Sequence, residues 1–122
     1  MDIKIYKALS DESRLKILNL LIQQELCVCE IEVILDMSQS NVSRHLNKLK
    51  SAKIVVYKKE SQWAYYTINN MFIEDNNYLY EHLKNKFSFD DQLLEDLDKL
   101  NSLKKQHAIC DEIRGNKIIK ND

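Results

Sequence analysis

Of the residue types here able to hold a soft ion, cysteine stands out, at positions 27, 29 and 110. The thiolate is the reactive and ligating form, and a helix N-terminus lowers a thiol's pKa. Cys27 and Cys29 stand in Glu25-Leu26-Cys27-Val28-Cys29-Glu30, which opens an apolar-patterned stretch from Glu25 to Met37. Glu25 and Glu30 act against ionisation at that end. On a helix, residues two apart point about 200° apart around the axis. Cys27 is then expected to face the core with Ile31, and Cys29 to face solvent. Two thiols so placed hold one ion only if the turn unwinds. As plain packing, Cys27 is a small buried hydrophobe and Cys110 part of a helix face.

A second constellation lies just downstream, from Ser38 to Ala52. Helical spacing puts Val42, Leu46 and Leu49 on one stripe. Ser40, Arg44 and Asn47 point the other way, flanked by Ser43 and Lys48. Ser38 is a good N-cap, because its hydroxyl can accept from the free amides of the first turn. Hydroxyls, amides and a guanidinium are the groups that read base edges in a major groove. An amphipathic surface helix is the plain alternative. Residues 38–62 carry six Lys/Arg (Arg44, Lys48, Lys50, Lys53, Lys58, Lys59) against Glu60, a local net of +5 in a chain whose total is −1. Residues 90–113 carry three Lys against seven acids, a local net of −4. A basic stripe on one segment is the electrostatic footprint of phosphate contact.

The elements that must position these groups follow from the rest of the chain. Its 122 residues, 44% of them hydrophobic, suit one compact domain. There is no Pro and one Gly, Gly115, which favours helices with short connections and leaves no Gly-rich phosphate loop. No run of about 18 apolar residues predicts a membrane span. With no leader-like N-terminus and an odd cysteine count, a cytoplasmic protein with reduced thiols is expected. Residues 2–9 predict a short helix, and Ser10-Asp11 caps the next. Leu15, Ile17, Leu18, Leu20, Leu21 and Ile22 make that next one the central core helix. Glu25 to Met37 predicts a third helix, joined by Asp36 to Ser38 to the polar and basic one, a helix-turn-helix pattern.

Ile54 to Tyr57 and Trp63 to Ile68 are β-branched and aromatic, and predict a hairpin with a basic tip over residues 58–62. Such a hairpin beside a helix-turn-helix can lie along a phosphate backbone. Asn70 to Phe87 predicts a helix with Phe72, Leu79, Leu83 and Phe87 inward. A last helix starts at Asp90-Asp91 and carries a Leu93, Leu97, Leu100 and Leu103 stripe. That stripe is expected to form a dimer interface with the residues 2–9 helix. The fold class expected is therefore mainly α with a small β-hairpin, a homodimeric winged helix-turn-helix. One domain is expected over residues 1–113, with N- and C-terminal dimerisation helices and a flexible tail over 114–122.

Several motifs together resemble the ArsR/SmtB family of winged-helix metal-responsive repressors. Ala8-Leu9-Ser10-Asp11-Glu12-Ser13-Arg14-Leu15-Lys16-Ile17-Leu18 resembles its opening signature. Ser38-Gln39-Ser40-Asn41-Val42-Ser43-Arg44-His45-Leu46 resembles its recognition helix, and Trp63-Ala64-Tyr65-Tyr66 its returning wing strand. Glu25-Leu26-Cys27-Val28-Cys29-Glu30 is similar to the arsenic-sensing branch. The resemblance covers roughly residues 3–110 and implies a repressor that releases operator DNA when a metalloid binds. It departs at Glu32, where that branch often has a third cysteine, and at Lys53 and Ser61, where glycine is common. The zinc-type pattern on the last helix is not reproduced.

With Cys110 as a carried-over third ligand, the site becomes Cys27, Cys29 and Cys110, suited to As(III) or Sb(III) as inducer. Joined by His107, the set becomes the Cys₃His type that takes zinc, and zinc or cadmium is the alternative inducer. Lead, or thiol oxidation, is a further alternative. Candidate DNA contacts are Ser38, Gln39, Ser40, Asn41, Ser43, Arg44, His45, Asn47, Lys48, Lys58, Lys59 and Gln62. The partners expected are double-stranded operator DNA and a second copy of the chain, with no membrane. No Ser/His/Asp set, paired-carboxylate site or nucleotide loop has context, so no enzyme is expected. A winged helix that binds protein instead of DNA is the rival class.

Overall fold

The computed structural model describes residues 1–61 and 63–105. Helix α1 (Ile3–Leu9) starts at Asp2, whose carboxylate accepts from the Lys4 amide at 2.9 Å. Helix α2 (Glu12–Gln23) starts at Asp11, which accepts from the Arg14 amide at 3.0 Å. Its Ile17, Leu18, Leu20 and Leu21 are buried, so α2 is the core helix expected from its composition. Helix α3 (Val28–Leu35) ends at Asp36 in the left-handed conformation, φ 53°. Helix α4 (Gln39–Ser51) follows Ser38, whose hydroxyl accepts from the Asn41 amide at 3.3 Å. Val42, Leu46 and Leu49 of α4 are fully buried, as their spacing requires.

Strands β1 (Val55–Glu60) and β2 (Trp63–Ile68) pair antiparallel, from Val55 opposite Ile68 to Glu60 opposite Trp63. The ladder runs further than expected: Lys58 and Lys59 belong to β1, opposite Tyr65 and Ala64, rather than to a loop. Lys53 and Ser61 both adopt positive φ, 62° and 59°, the two positions at which the resemblance implied glycine.

Three other expectations are corrected. The stretch from Glu25 to Met37 is not one helix. Leu26 is extended and exchanges both backbone hydrogen bonds with Tyr66 of β2, at 3.1 and 2.8 Å, which satisfies a fully buried backbone. The expected Asn70–Phe87 helix is broken into α5 (Asn70–Asp75) and α6 (Asn77–Phe87). At the break, the Asn76 amide and side chain both donate to Phe72 O, at 2.9 and 3.3 Å. An asparagine that bonds the backbone locally competes with helix continuation.

The leucine stripe of α7 (Asp91–Lys105) is also not left unpartnered within the chain. Leu93 and Leu100 are buried in the core, where α7 packs on α2 and α3, while α1 packs on α2 and α4. Asn19 Nδ2 of α2 donates to Leu93 O at 3.0 Å. Lys16 Nζ reaches Asp96 Oδ2 at 3.3 Å, and Asp96 is 1% exposed. Among the described residues no helix is long and apolar enough to cross a membrane.

Candidate nucleic-acid interface and cysteine site

The polar face of α4 is assembled as its sequence implies. Ser38, Gln39, Ser40, Asn41, Arg44, Asn47 and Lys48 are exposed, and Ser43 is half-buried at the edge. Burial of Val42, Leu46 and Leu49 fixes which way that face points. Lys58 and Lys59 are exposed on β1, and Lys50 Nζ of α4 stands 5.7 Å over the Tyr57 ring, linking helix to hairpin. Gln62 lies outside the described residues.

His45 departs from the reading set. It is 4% exposed, with Nδ1 3.2 Å from Arg14 Nη1 and Nε2 3.4 Å from Arg44 Nη2. Asp11 Oδ1 stands 3.8 Å from the same Nδ1. The ring is a spacer between two guanidiniums and not a surface contact. Burial pushes its pKa below the usual value; Asp11 opposes this, while Arg44, Arg14 and Lys48 add to it. For Asp11, burial alone would raise the carboxyl. The Arg14 amide and the charges of His45 and Arg14 outweigh it and hold the group below its ordinary value. Arg14 was invisible as a site residue, because it is one polar residue near the start of an apolar helix. Its guanidinium ties α1 to α4.

Cys27 and Cys29 lie at the entry to α3. Cys27 is the N-cap, with extended backbone (φ −90°, ψ 168°), and is fully buried; Cys29 is half-buried. The helical-wheel argument that held them apart therefore fails for Cys27, which lies outside the helix. Their sulfurs are 3.5 Å apart. Two thiolates on one tetrahedral centre, at a metal–sulfur distance of about 2.3 Å, stand about 3.8 Å apart. The pair thus fits one thiophilic centre with α3 wound as it stands. Glu30 turns its carboxylate onto the Cys27 amide at 2.9 Å, so that acid also caps the helix. Among the described residues no group of three or more His, Cys, Asp or Glu is placed to hold a metal ion. Cys110 and His107 lie outside the described residues, as does the expected tail over 114–122.

Residues 11–57 match the model of the family described as bacterial regulatory protein, arsR family. A homodimeric winged helix-turn-helix DNA-binding domain from Mycobacterium bovis, described as a possible ArsR-family transcriptional regulator, superposes with a TM-score of 0.60. It is 30% identical, over 69% of this chain and 78% of that one. The chain belongs to the arsR family. The cadmium resistance transcriptional regulatory protein CadC of Listeria innocua is 46% identical to this family member over 69 residues, 56% of this chain and 58% of that one. The arsenical resistance operon repressor of Escherichia coli is 39% identical over 70 residues, 57% of this chain and 60% of that one. The chain thus spans about three fifths of the length of these curated relatives. The fold is the winged helix-turn-helix expected of it.

Proposed function

We propose that this protein is a transcriptional repressor that binds operator DNA as a two-fold dimer and releases it when a thiophilic metalloid, arsenite or antimonite, binds Cys27 and Cys29. The observation that carries it is the 3.5 Å approach of the two sulfurs at the first residues of the helix-turn-helix. Helix α4 lies in the major groove with Ser40, Ser43, Arg44 and Asn47 toward the bases, while Lys58 and Lys59 lie along the backbone. Cys27 and Cys29 supply two thiolates, and Cys110 is proposed as the third. Because Leu26 is hydrogen-bonded to Tyr66, a shift of the Cys27 backbone acts on the hairpin as well as on α3. Release requires the inducer to bind the DNA-free state more tightly than the DNA-bound one.

The test is an arsenite titration of the reduced protein on DNA taken from upstream of its own coding sequence. Coupling of about 1–3 kcal/mol corresponds to a 5- to 150-fold loss of affinity. Cys27→Ser and Cys29→Ser should each keep DNA binding and lose the response. Cys110→Ser should weaken the inducer without changing DNA binding. The proposal is falsified if the Cys27→Ser/Cys29→Ser double variant leaves DNA at the parent's arsenite concentration. Cadmium is the second reading, because the Listeria innocua relative is named for it. A response to cadmium with none to arsenite would select it.

A further inference from the structure

An open groove of about 740 Å³ runs between α1 and α4. Ala8 and Ala52 contribute to its floor, both buried and too small to fill it. Lys4 and Lys7 line it from α1, and Arg44 and Lys48 from α4, with Arg14 beside them. Among the described residues no carboxylate lines it. The nearby acids are turned to other uses: Asp2 accepts from the Lys4 amide, and Asp11 from the Arg14 amide. Among the described residues neither Lys4 nor Lys7 forms an ion pair.

Like charges so gathered repel one another, yet α1 is held in place. Arg14 Nε donates to Ala8 O at 2.6 Å and Nη2 to Lys7 O at 3.4 Å, so one guanidinium caps the last carbonyls of α1. Such a held concentration of positive charge draws a polyanion. Because Arg44 and Lys48 belong also to the reading face of α4, the groove is continuous with it. Among the described residues no aromatic side chain lines it, so a base finds nothing there to stack on, and what the groove offers is contact with phosphate.

We propose that the groove is a channel for the backbone of the DNA strand flanking the α4 contact, with Lys4 and Lys7 each taking a phosphate. The inference rests on the duplex-binding reading above, and it adds α1 to the surface that touches DNA. A lysine ammonium serves here as a point charge on a flexible stem, suited to phosphates that carry no sequence information.

The salt dependence of binding to the upstream duplex tests this in the full chain. Each phosphate neutralised contributes about 0.9 to the slope of log affinity against log salt. Lys4→Gln/Lys7→Gln should flatten that slope by about 2 for each bound protomer, hence by about 3–4 for the dimer. Lys84→Gln/Lys86→Gln removes the same charge from exposed positions of α6 and should leave the slope unchanged. Phosphate-ethylation interference should vanish at phosphates flanking the central contact in the Lys4→Gln/Lys7→Gln variant, and persist elsewhere. An unchanged slope, equal flattening in the α6 variant, or an unchanged interference pattern overturns the proposal. So does a groove that binds inorganic tripolyphosphate, lost in Lys4→Gln/Lys7→Gln, while the duplex slope stays put, since that assigns it to a free polyphosphate. A parent that binds no duplex at any salt sinks the duplex-binding reading itself, which is a different failure.

Discussion

A single backbone conformation at Cys27 decides what two sulfurs can do together. In a helical turn, a cysteine two residues before another is carried to the opposite side; as an extended N-cap it is free to lean back over the first turn. His45 makes a similar point about charge. Its imidazole, packed between Arg14 and Arg44, is held below its ordinary pKa of 6.5 by burial first of all. The unfolded chain therefore takes up that proton before the folded one does as the pH falls. Stability is then full above 6.5 and is lost as the pH falls through the folded value. Thermal melts compared at about pH 7.5 and about pH 5.5 should show a larger loss in the parent than in His45→Gln. An equal loss in both proteins would put the titration elsewhere. Asp11, whose pKa is held below 3.8, acts only in a more acidic window and does not confuse the comparison. At Lys53 the cost is in the backbone. A side chain in left-handed conformation costs about 1–2 kcal/mol, against roughly 0.5–1 kcal/mol for the extra entropy of glycine. Lys53→Gly should raise stability by about 0.5 kcal/mol by denaturant unfolding, and a decrease would mean the turn is not under strain.

Helix α4 was legible because independent signals coincide on it: the Ser38 cap, the Val42, Leu46 and Leu49 stripe, and the basic outer face. Asp11 and Ser38 each announce a helix start, and both are used. The Leu26 bridge to Tyr66 was not legible, since one residue of strand has no period. The α5–α6 break was hidden for a related reason: the apolar stripe resumes after Asn76, so the pattern runs across the interruption. For α7, periodicity announced an apolar face but could not say which surface covers it, and the cover is mostly α2 and α3 of the same chain. Nor could spacing bring Arg14 to His45, because their approach depends on how α2 crosses α4. The attachment of α7 to α2 carries a prediction of its own. Asp96 is 1% exposed and its Oδ2 has Lys16 as its ion-pair partner. Lys16→Met leaves that charge uncompensated and should cost about 3–5 kcal/mol in urea unfolding. Lys16→Met/Asp96→Leu should recover most of the loss, since an apolar pair of similar volume is often neutral. A double variant as unstable as the single one would show that the pair contributes packing and not charge compensation.

Across the whole molecule, part of the apolar surface left exposed among the described residues lies on the terminal helices. Ile3 is 55% and Tyr6 46% exposed on α1, and Leu94 is 40% exposed on α7. Lys4 and Lys7 border the groove toward α4. Helix α1 thus turns the lysines proposed for phosphate toward α4, while Ile3 and Tyr6 stay exposed among the described residues. Operator recognition supplies a reason to cover Ile3 and Tyr6 with another copy of the chain. Two reading helices must meet successive major grooves about 34 Å apart, which a two-fold dimer can arrange. The proposed dimer thus uses Ile3, Tyr6 and Leu94, together with the half-buried Leu97 and Leu103, and not the Leu93 and Leu100 already committed to the core. Ile3→Asp/Tyr6→Asp places charge in the seam without touching a buried residue. By light scattering at about micromolar concentration, the parent should run as a dimer and the variant as a monomer. Once the two reading helices are no longer linked, binding of the second half-site loses its effective concentration, and overall affinity should fall by about 10²- to 10⁴-fold. Circular dichroism should be unchanged, because α1 keeps its Asp2 cap and its buried Ile5 and Ala8. A parent that is monomeric in solution and occupies DNA as a monomer would remove the dimer from the mechanism and leave α4 to read a single half-site.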